Sequence, residues 1–240
     1  MRVIVNGANG YMGRLCVEEF EKVGHEVVAK IDVSGENCNK SFKDFNGVAD
    51  LICDFSFHTS AFSVCEYAVK NGIPVVVATT GHTEEEKAMI FDAAKNVPVF
   101  YSGNMSLGIA LLIDFAKKAA AAFPEADIEI IEKHHNRKVD APSGTALMLA
   151  ESVRSIRSGS EIICGRAGSH KREKKEIGIA SIRLANVVGE HEVIIATPTQ
   201  TVSLKHEAHD RRLFAEGAVK AAEYLLGKKA GIYDITDMTK

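Results

Sequence analysis

"VNGANGYMG", residues 5–13, is the stretch on which the fold turns. Val3, Ile4 and Val5 read as a short buried strand that stops at Asn6 and Gly7. Beyond it, Met12, Leu15, Cys16, Phe20 and Val23 recur at three- and four-residue intervals, the period of a helix with one apolar face, until Gly24 supplies a stop. Gly7, Gly10 and Gly13 therefore stand where a strand hands over to a helix. Glycines in that place let backbone approach a pyrophosphate, and the helix N-terminus offers unpaired N–H groups with partial positive charge. The spacing is G-x-x-G-x-x-G rather than the tighter G-x-G-x-x-G, and such a turn by itself is common. Asp32 strengthens the reading, because it ends the second strand-like run, where a carboxylate would hold the hydroxyls of an adenine ribose.

Outward from this turn the alternation continues. Residues 26–32 and 49–56 are strand-like; "TSAFSVCEYAVKNG" is a helix opened by Thr59 or Ser60 and closed by Gly72. "PVVVATTG" and "VPVFYSG" are buried strands, and between them Thr83 with Glu86 three residues on marks a helix start by a capping box. Strands alternating with helices predict a parallel sheet covered on both faces. After Asn104 the rhythm changes. An apolar helix over 107–123 leads to the strand "ADIEIIEKHH", and a helix from Ser143 to about Arg157 follows. Three extended runs, "EIICG", "IGIASIRLANVVG" and "HEVIIATPTQTVSLKHEA", are separated only by turns, which predicts an antiparallel or mixed sheet. A last helix spans 211–227, and the mixed-charge run "KREKKE" (171–176) reads as a solvated loop. The expected organisation is an α/β dinucleotide-binding domain over 1–104, completed by 209–240, and an α+β domain over 105–208.

Composition limits the function. The 240 residues are 46% hydrophobic and 25% charged, ordinary for a chain with a proper core. A net charge of −3 gives no general attraction for nucleic acid or an anionic membrane. The apolar run 107–115 is too short to span a bilayer and contains Asp114. Five widely spaced Cys without a Cys-x-x-Cys pair argue against a disulfide framework and for a reducing cytosol. The chain opens on a strand and turn rather than a signal-peptide pattern, which again predicts a cytoplasmic protein.

The second dense signal is "KHHNRKVDAPSGTA", residues 133–146. Adjacent His134 and His135 point to opposite faces if extended, and no partner sits at metal-ligand spacing, so no metal site is expected. The bland reading is a basic surface loop with Asp140 capping or pairing. The functional reading is an anion site. Lys138 supplies a point charge, the His pair titrates near neutral pH, and Ser143 is an N-cap whose helix start exposes the N–H groups of Gly144 and Thr145. Two anion-binding devices side by side point to a substrate with more than one negative group.

This segment resembles the signature of the dihydrodipicolinate reductase (4-hydroxy-tetrahydrodipicolinate reductase) family: Glu, one or two residues, then His-His-x-x-Lys-x-Asp-Ala-Pro-Ser-Gly-Thr-Ala, with Glu132 ahead of the His pair here. "VNGANGYMGR", "ATTG", "SGNMSLG", "VVGEHEV", "HEAHDRRLFAEGA" and "GIYDITDM" extend the likeness in order over nearly the whole chain. The resemblance implies a Rossmann-type dinucleotide domain completed by the C-terminal helix, and a central α+β domain whose sheets assemble a homotetramer. It implies reduction of a cyclic imine derived from a small dicarboxylate to tetrahydrodipicolinate, in lysine and diaminopimelate biosynthesis, with NADH or NADPH. On the matching positions, Gly7, Ala8, Asn9, Gly10, Tyr11, Met12 and Gly13 would hold the pyrophosphate and Asp32 the ribose. Ala78, Thr79 and Thr80 would lie along the cofactor, and Ser102, Gly103, Asn104 and Met105 would flank the nicotinamide. His134 matches a proton donor or acceptor and Lys138 a proton donor. His135, Gly144 and Thr145 match substrate contacts, together with the helix start at Ser143. Arg211, or Arg212 beside it, matches an arginine near the active site. Tyr11 and Val33 stand where relatives that favour NADPH carry Arg, and Met105 stands for a common Phe; with Asp32, the first two favour NADH. A different nicotinamide oxidoreductase leaves "HHNRKVDAPSGTA" unexplained, and a non-catalytic dinucleotide sensor has no need of it.

Overall fold

The computed structural model describes residues 1–239; residue 240, the last of the segment 209–240 expected in the first domain, lies outside them. The described residues divide into two compact units, Met1–Ser106 with Arg211–Met238, and Leu107–Asp210 with Thr239.

The first unit is built on β1 (Arg2–Asn6), α1 (Tyr11–Lys22), β2 (Glu26–Ile31), β3 (Leu51–Asp54), α2 (Ala61–Asn71), β4 (Val75–Val77), α3 (Glu84–Ala93) and β5 (Pro98–Tyr101). Its strands carry almost nothing polar: Val3, Ile4, Val5, Leu51, Ile52, Val75, Val76 and Val99 are all fully buried. Strands apolar on both faces need helices on both sides, and the six-stranded sheet is parallel throughout, in the order β11-β5-β4-β3-β1-β2. On one face, Val64, Cys65 and Ala68 of α2 and Ile90 and Ala93 of α3 close over Ile4, Ile52 and Val75. The Thr83–Glu86 capping box is present in both directions, and α2 ends at Gly72 in the left-handed region, φ 65°. The sequence reading located no strand near the C-terminus. β11 (Gly231–Tyr233) nevertheless pairs with β5, after α6 (Arg212–Leu225) has packed against α1. Three residues give no periodicity to recognise; the pairing depends on β5 offering a free edge.

In the second unit, α4 (Leu107–Ala122), β6 (Asp127–His134), α5 (Gly144–Arg154), β7 (Glu161–Cys164), β8 (Glu176–Arg183), β9 (Gly189–Thr197) and β10 (Gln200–Ala208) follow. The sheet order is β10-β9-β6-β8-β7; β6 runs parallel to β8 and antiparallel to β9, so the sheet is mixed. Helices α4 and α5 cover one face, where Ile109, Leu112, Leu149 and Val153 meet Ile128, Ile130, Ile177 and Val193. The run 191–208, which reads as one extended stretch, is a hairpin: β9 turns at Pro198 and Thr199 into β10. The run 171–176 is not simply solvated either. Arg172 reaches Asp127, Glu129 and the carbonyls of Ile128 and Glu176, so its guanidinium fastens the start of β6 to the start of β8. Among the described residues no helix is long and apolar enough to cross a membrane.

Candidate active site

In the first unit every residue expected at a cofactor lies at the carboxyl ends of the parallel strands. Residues 7–13 follow β1, Asp32 follows β2, residues 78–80 follow β4 and residues 102–105 follow β5. The chain order 2-1-3 across the sheet places a topological switch between β1 and β3, the crevice where open α/β sheets bind ligands. The glycines are required there. Gly7 has φ 77° and its Cα lies against the Phe55 carbonyl, while a Cβ on Gly13 would overlap the Gly7 carbonyl. Gly10 stands at the N-cap of α1 with no side chain to engage the first N–H groups, and no acidic residue occupies the first turn. That leaves a positive helix end free for an anion. Tyr11 is exposed, Met12 half-buried, and Ala8 buried against β2, its N–H donating to the Ile31 carbonyl.

Asp32 is fixed beside this turn. One carboxylate oxygen accepts from the Asn9 N–H at 3.0 Å, the other from the Ser34 N–H and hydroxyl at 2.9 and 2.8 Å. Burial alone would raise its pKa, but these donors and the charge of Lys40 hold it below the usual carboxylate range. Three cations, from α1, β2 and the loop after β2, take different partners. Lys30 reaches Glu21, Arg14 donates to the Asn9 side chain, and Lys40 comes alongside because Asp32 and Asn39 bond across the end of β2. A cleft of about 1250 Å³ opens at this point, lined by Asn6, Gly7, Gly10, Asp32, Val33 and Lys40 among others. The glycine cradle, the free helix end and the acceptor at Asp32 fit a dinucleotide.

Sequence reasoning missed the polar floor beneath. Asp54, buried at the end of β3, accepts from Asn6, Ser56 and Thr79 at 2.8, 2.5 and 2.8 Å, which binds the ends of β1, β3 and β4 together. Burial raises its carboxyl against those donors. A carboxylate closing an otherwise apolar strand was the available signal. Thr79 is thus committed to the floor, while Ala78 is half-buried and Thr80 exposed. Ser102, Asn104 and Met105 are buried in a tight turn, the Ser102 hydroxyl bonding the Asn104 carbonyl, with Gly103 exposed at its crest. The two arginines also separate. Arg212 pairs with Glu18 and Glu19 of α1, a fastening of α6 to α1. The Arg211 guanidinium lies 5.8 Å from the centre of the Tyr11 ring, beside the glycine turn.

In the second unit the end of β6 carries the site. Its buried positions alternate as Ile128, Ile130, Glu132, His134, so the core-facing side of the strand changes from apolar to ionisable in its last turn of pleat. Glu132 is fully buried. Arg183, from the end of β8, donates to its two oxygens at 2.8 and 2.7 Å; His134 Nδ1 donates at 2.5 Å; the Ser143 N–H donates at 3.1 Å. Burial would push the carboxyl up, but Arg183 and His134 hold it down at about 2. Ser143 caps α5, its hydroxyl accepting from the Ala146 N–H at 3.2 Å and sharing a hydrogen bond with His191 Nε2 at 3.1 Å. His191, opposite Glu132 in the β6–β9 register, is buried and desolvation drives it down to about 3, so it is neutral. Desolvation lowers His134 as well, against the pull of Glu132.

Beyond this buried set, His135 is half-buried, Gly144 exposed at the start of α5, and Thr145 half-buried in its first turn. Lys138 reaches Asp140 at 2.8 Å, and Arg183 also grips the Asp140 carbonyl at 2.6 Å, which draws the cationic loop onto the strand ends. The loop is therefore anchored, with a cation held near an imidazole and a capped helix start. That set can neutralise an anion and hand over a proton.

Known proteins resemble this chain over its whole length. Residues 1–105 match the family profile for dihydrodipicolinate reductase, N-terminus, and residues 108–239 the profile for dihydrodipicolinate reductase, C-terminus. The 4-hydroxy-tetrahydrodipicolinate reductase of Clostridium novyi is 44% identical over 250 residues, covering 100% of this chain and 98% of the relative. That of Caldanaerobacter subterraneus subsp. tengcongensis is 41% identical over 247 residues with the same coverage. Among solved structures, the dipicolinate-bound dihydrodipicolinate reductase from Paenisporosarcina sp. TG-14 superposes with a TM-score of 0.80 at 25% identity, covering 99% of each chain. With both profiles matched end to end and full-length relatives above 40% identity, this chain belongs to the dihydrodipicolinate reductase family.

Proposed function

We propose that this chain catalyses the NAD(P)H-dependent reduction of 4-hydroxy-tetrahydrodipicolinate, by way of dihydrodipicolinate, to tetrahydrodipicolinate in lysine and diaminopimelate biosynthesis in the cytosol. The observation that carries the reading is the joint presence, in one family member, of the glycine cradle beside Asp32 and the Glu132–His134–Lys138 set at the start of α5. When bound, the reduced nicotinamide supplies a hydride. The chain supplies the rest. Residues 7–13 hold the pyrophosphate against the N-terminus of α1, and Asp32 takes the ribose; residues 78–80 and 102–105 line the path beyond. Asp32 with Tyr11 and Val33 favours NADH, while Lys40 beside Asp32 offers a charge for a 2′-phosphate, so both dinucleotides are accepted with NADH preferred.

A small dicarboxylate finds compensation at the N–H groups of Gly144 and Thr145 next to the cap Ser143, at His135 and at Lys138, with Arg211 contributing near the glycine turn. Hydride arriving at a carbon conjugated to C=N pushes an electron pair onto the adjoining atoms, and a proton must follow. Lys138 releases that proton from its ammonium while His134 orients the reacting ring, and water restores the lysine afterwards. The Lys138–Asp140 pair keeps the ammonium in place until a substrate carboxylate competes for it. The face of the mixed sheet opposite α4 and α5, with Ile131 and Ile194 half-buried, supports assembly into a homotetramer.

The test is consumption of NADH with substrate made in situ by the preceding synthase. Turnover that depends on the synthase product is expected. Tight NADH binding without turnover would instead make the chain a dinucleotide sensor.

A further inference from the structure

The proposed reduction gives a direct role to His134, His135, Lys138 and the start of α5. Three groups outside that set, Glu132, Arg183 and His191, are buried or half-buried with the most demanding contacts in the second unit. Glu132 lies in a cross-strand row with His191 of β9 on one side and Ser181 of β8 on the other, one pleat below the His134–Arg183 pair. An ionised carboxylate accepts and cannot donate. With Arg183 on both its oxygens Glu132 is ionised, so the 2.5 Å contact requires the hydrogen to sit on His134 Nδ1. The opposite nitrogen, Nε2, faces Gly189. A Cβ built there would stand 3.1 Å from it, so glycine leaves open the space that a side chain would fill. The same carboxylate accepts the Ser143 N–H, one residue before the helix start that meets the anion.

We infer that Glu132 is a positioning residue for the reduction: it locks His134 as the Nδ1–H tautomer, so that Nε2 offers the substrate a lone pair, and it sets the ring in register with the N-terminus of α5. The inference rests on the reductase reading of this site and decides between the two roles open for His134. The ring is a hydrogen-bond acceptor toward the substrate, and Lys138 is the sole proton donor of the pair. Arg183 serves by keeping Glu132 ionised and by holding the Asp140 carbonyl, which fixes Lys138 relative to His134. His191 serves through its hydrogen bond to the Ser143 hydroxyl, which helps hold that oxygen on the Ala146 N–H. A carboxylate that fixes an imidazole tautomer is a known device in nucleophilic triads, where exchange for the amide reverses the ring.

The decisive measurement is made on the unaltered chain. In protein labelled with 15N at histidine, long-range 1H–15N spectra distinguish a protonated ring nitrogen from a bare one, and the His134 signals are those missing from His134→Gln. Protonated Nδ1 with bare Nε2 is expected; a ring protonated at Nε2 alone overturns the inference. Glu132→Gln is the second arm, because its amide can donate to Nδ1. It is expected to switch the ring to Nε2–H and to lower kcat by on the order of 100-fold, with the NADH Kd within about twofold. A folded Glu132→Gln protein that keeps kcat within about threefold would also overturn it. If that variant does not fold, the tautomer of the unaltered chain decides alone. An unaltered chain with no reductase turnover removes the reductase reading, whichever tautomer is seen; full turnover with an Nε2–H ring removes only this inference.

Discussion

At the scale of single residues, the two halves of the chemistry rest on side chains that separate experiments can address. Lys138 pairs with Asp140 in the second unit. Lys138→Ala is therefore expected to lower kcat by about 100-fold or more, the usual worth of a positioned general acid, with NADH affinity unchanged by fluorescence titration. Loss of NADH affinity with kcat retained would move the lysine to the cofactor. Asp32 is the counterpart. Its carboxylate is pre-aimed by Asn9 and Ser34, and its charge opposes a 2′-phosphate. Asp32→Ala should weaken NADH by about tenfold and NADPH by less, since the second loses a repulsion along with a hydrogen bond. Equal weakening would take Asp32 away from the ribose. Both residues were legible in the sequence, because each ends a recognisable local pattern. Glu132 was legible as the residue that opens the family signature, but its partners Arg183 and His191 left no local sign of their contacts: Arg183 is 51 positions from the carboxylate it grips.

At the scale of elements, the two helix starts proposed to meet anions are built differently. α1 begins at a glycine with its N–H groups left for a ligand, whereas α5 begins at Ser143, whose hydroxyl satisfies one N–H from within. Gly13→Ala would drive a Cβ into the Gly7 carbonyl and lift α1 from the turn. NADH binding is expected to fall by about 100-fold or more, read by titration, while the second unit keeps its fold. Ser143→Ala removes a cap and the hydrogen-bond partner of His191 Nε2; a loss of about 1–2 kcal/mol by urea unfolding is expected, more than an exposed cap would cost. The helix and strand types of these elements followed from period alone. The hairpin at Pro198 and the strand β11 did not, since a two-residue turn within a long extended run and a three-residue strand carry too little local pattern.

For the whole molecule, the buried polar array makes stability depend on acid. His191 is neutral when folded and takes a proton only near about 3, whereas unfolded it does so at its ordinary 6.5. The unfolded chain then binds more protons between these values, so stability is complete above about 6.5 and falls as pH drops toward about 3, by up to about 1.4 kcal/mol per pH unit. Glu132 acts in the same direction lower down. Its folded value of about 2 lies below its ordinary 4.5, so the stability it confers is present above about 4.5 and lost as pH falls through about 2. The urea midpoint is expected to decline from pH 7 to pH 5 in the native protein, and to decline less in His191→Gln, which cannot titrate. A midpoint independent of pH over that range would mean His191 is not held neutral.

By itself the sequence determined the alternation of strand and helix, the parallel sheet of the first unit, the glycine turn followed by Asp32, and the crowding of cationic groups ahead of a helix start at residues 133–146. These are encoded locally: side-chain period reports which face is buried, and glycine and capping residues report where backbone must turn or be left open. Only the tertiary structure decided that Arg212 fastens α1 while Arg211 lies by Tyr11, that Lys40 is the cation beside Asp32, and that Glu132 orders His134 between Arg183 and Ser143. Those contacts join residues distant along the chain. Which charge meets which is set by strand register, and register is fixed by packing the whole sheet.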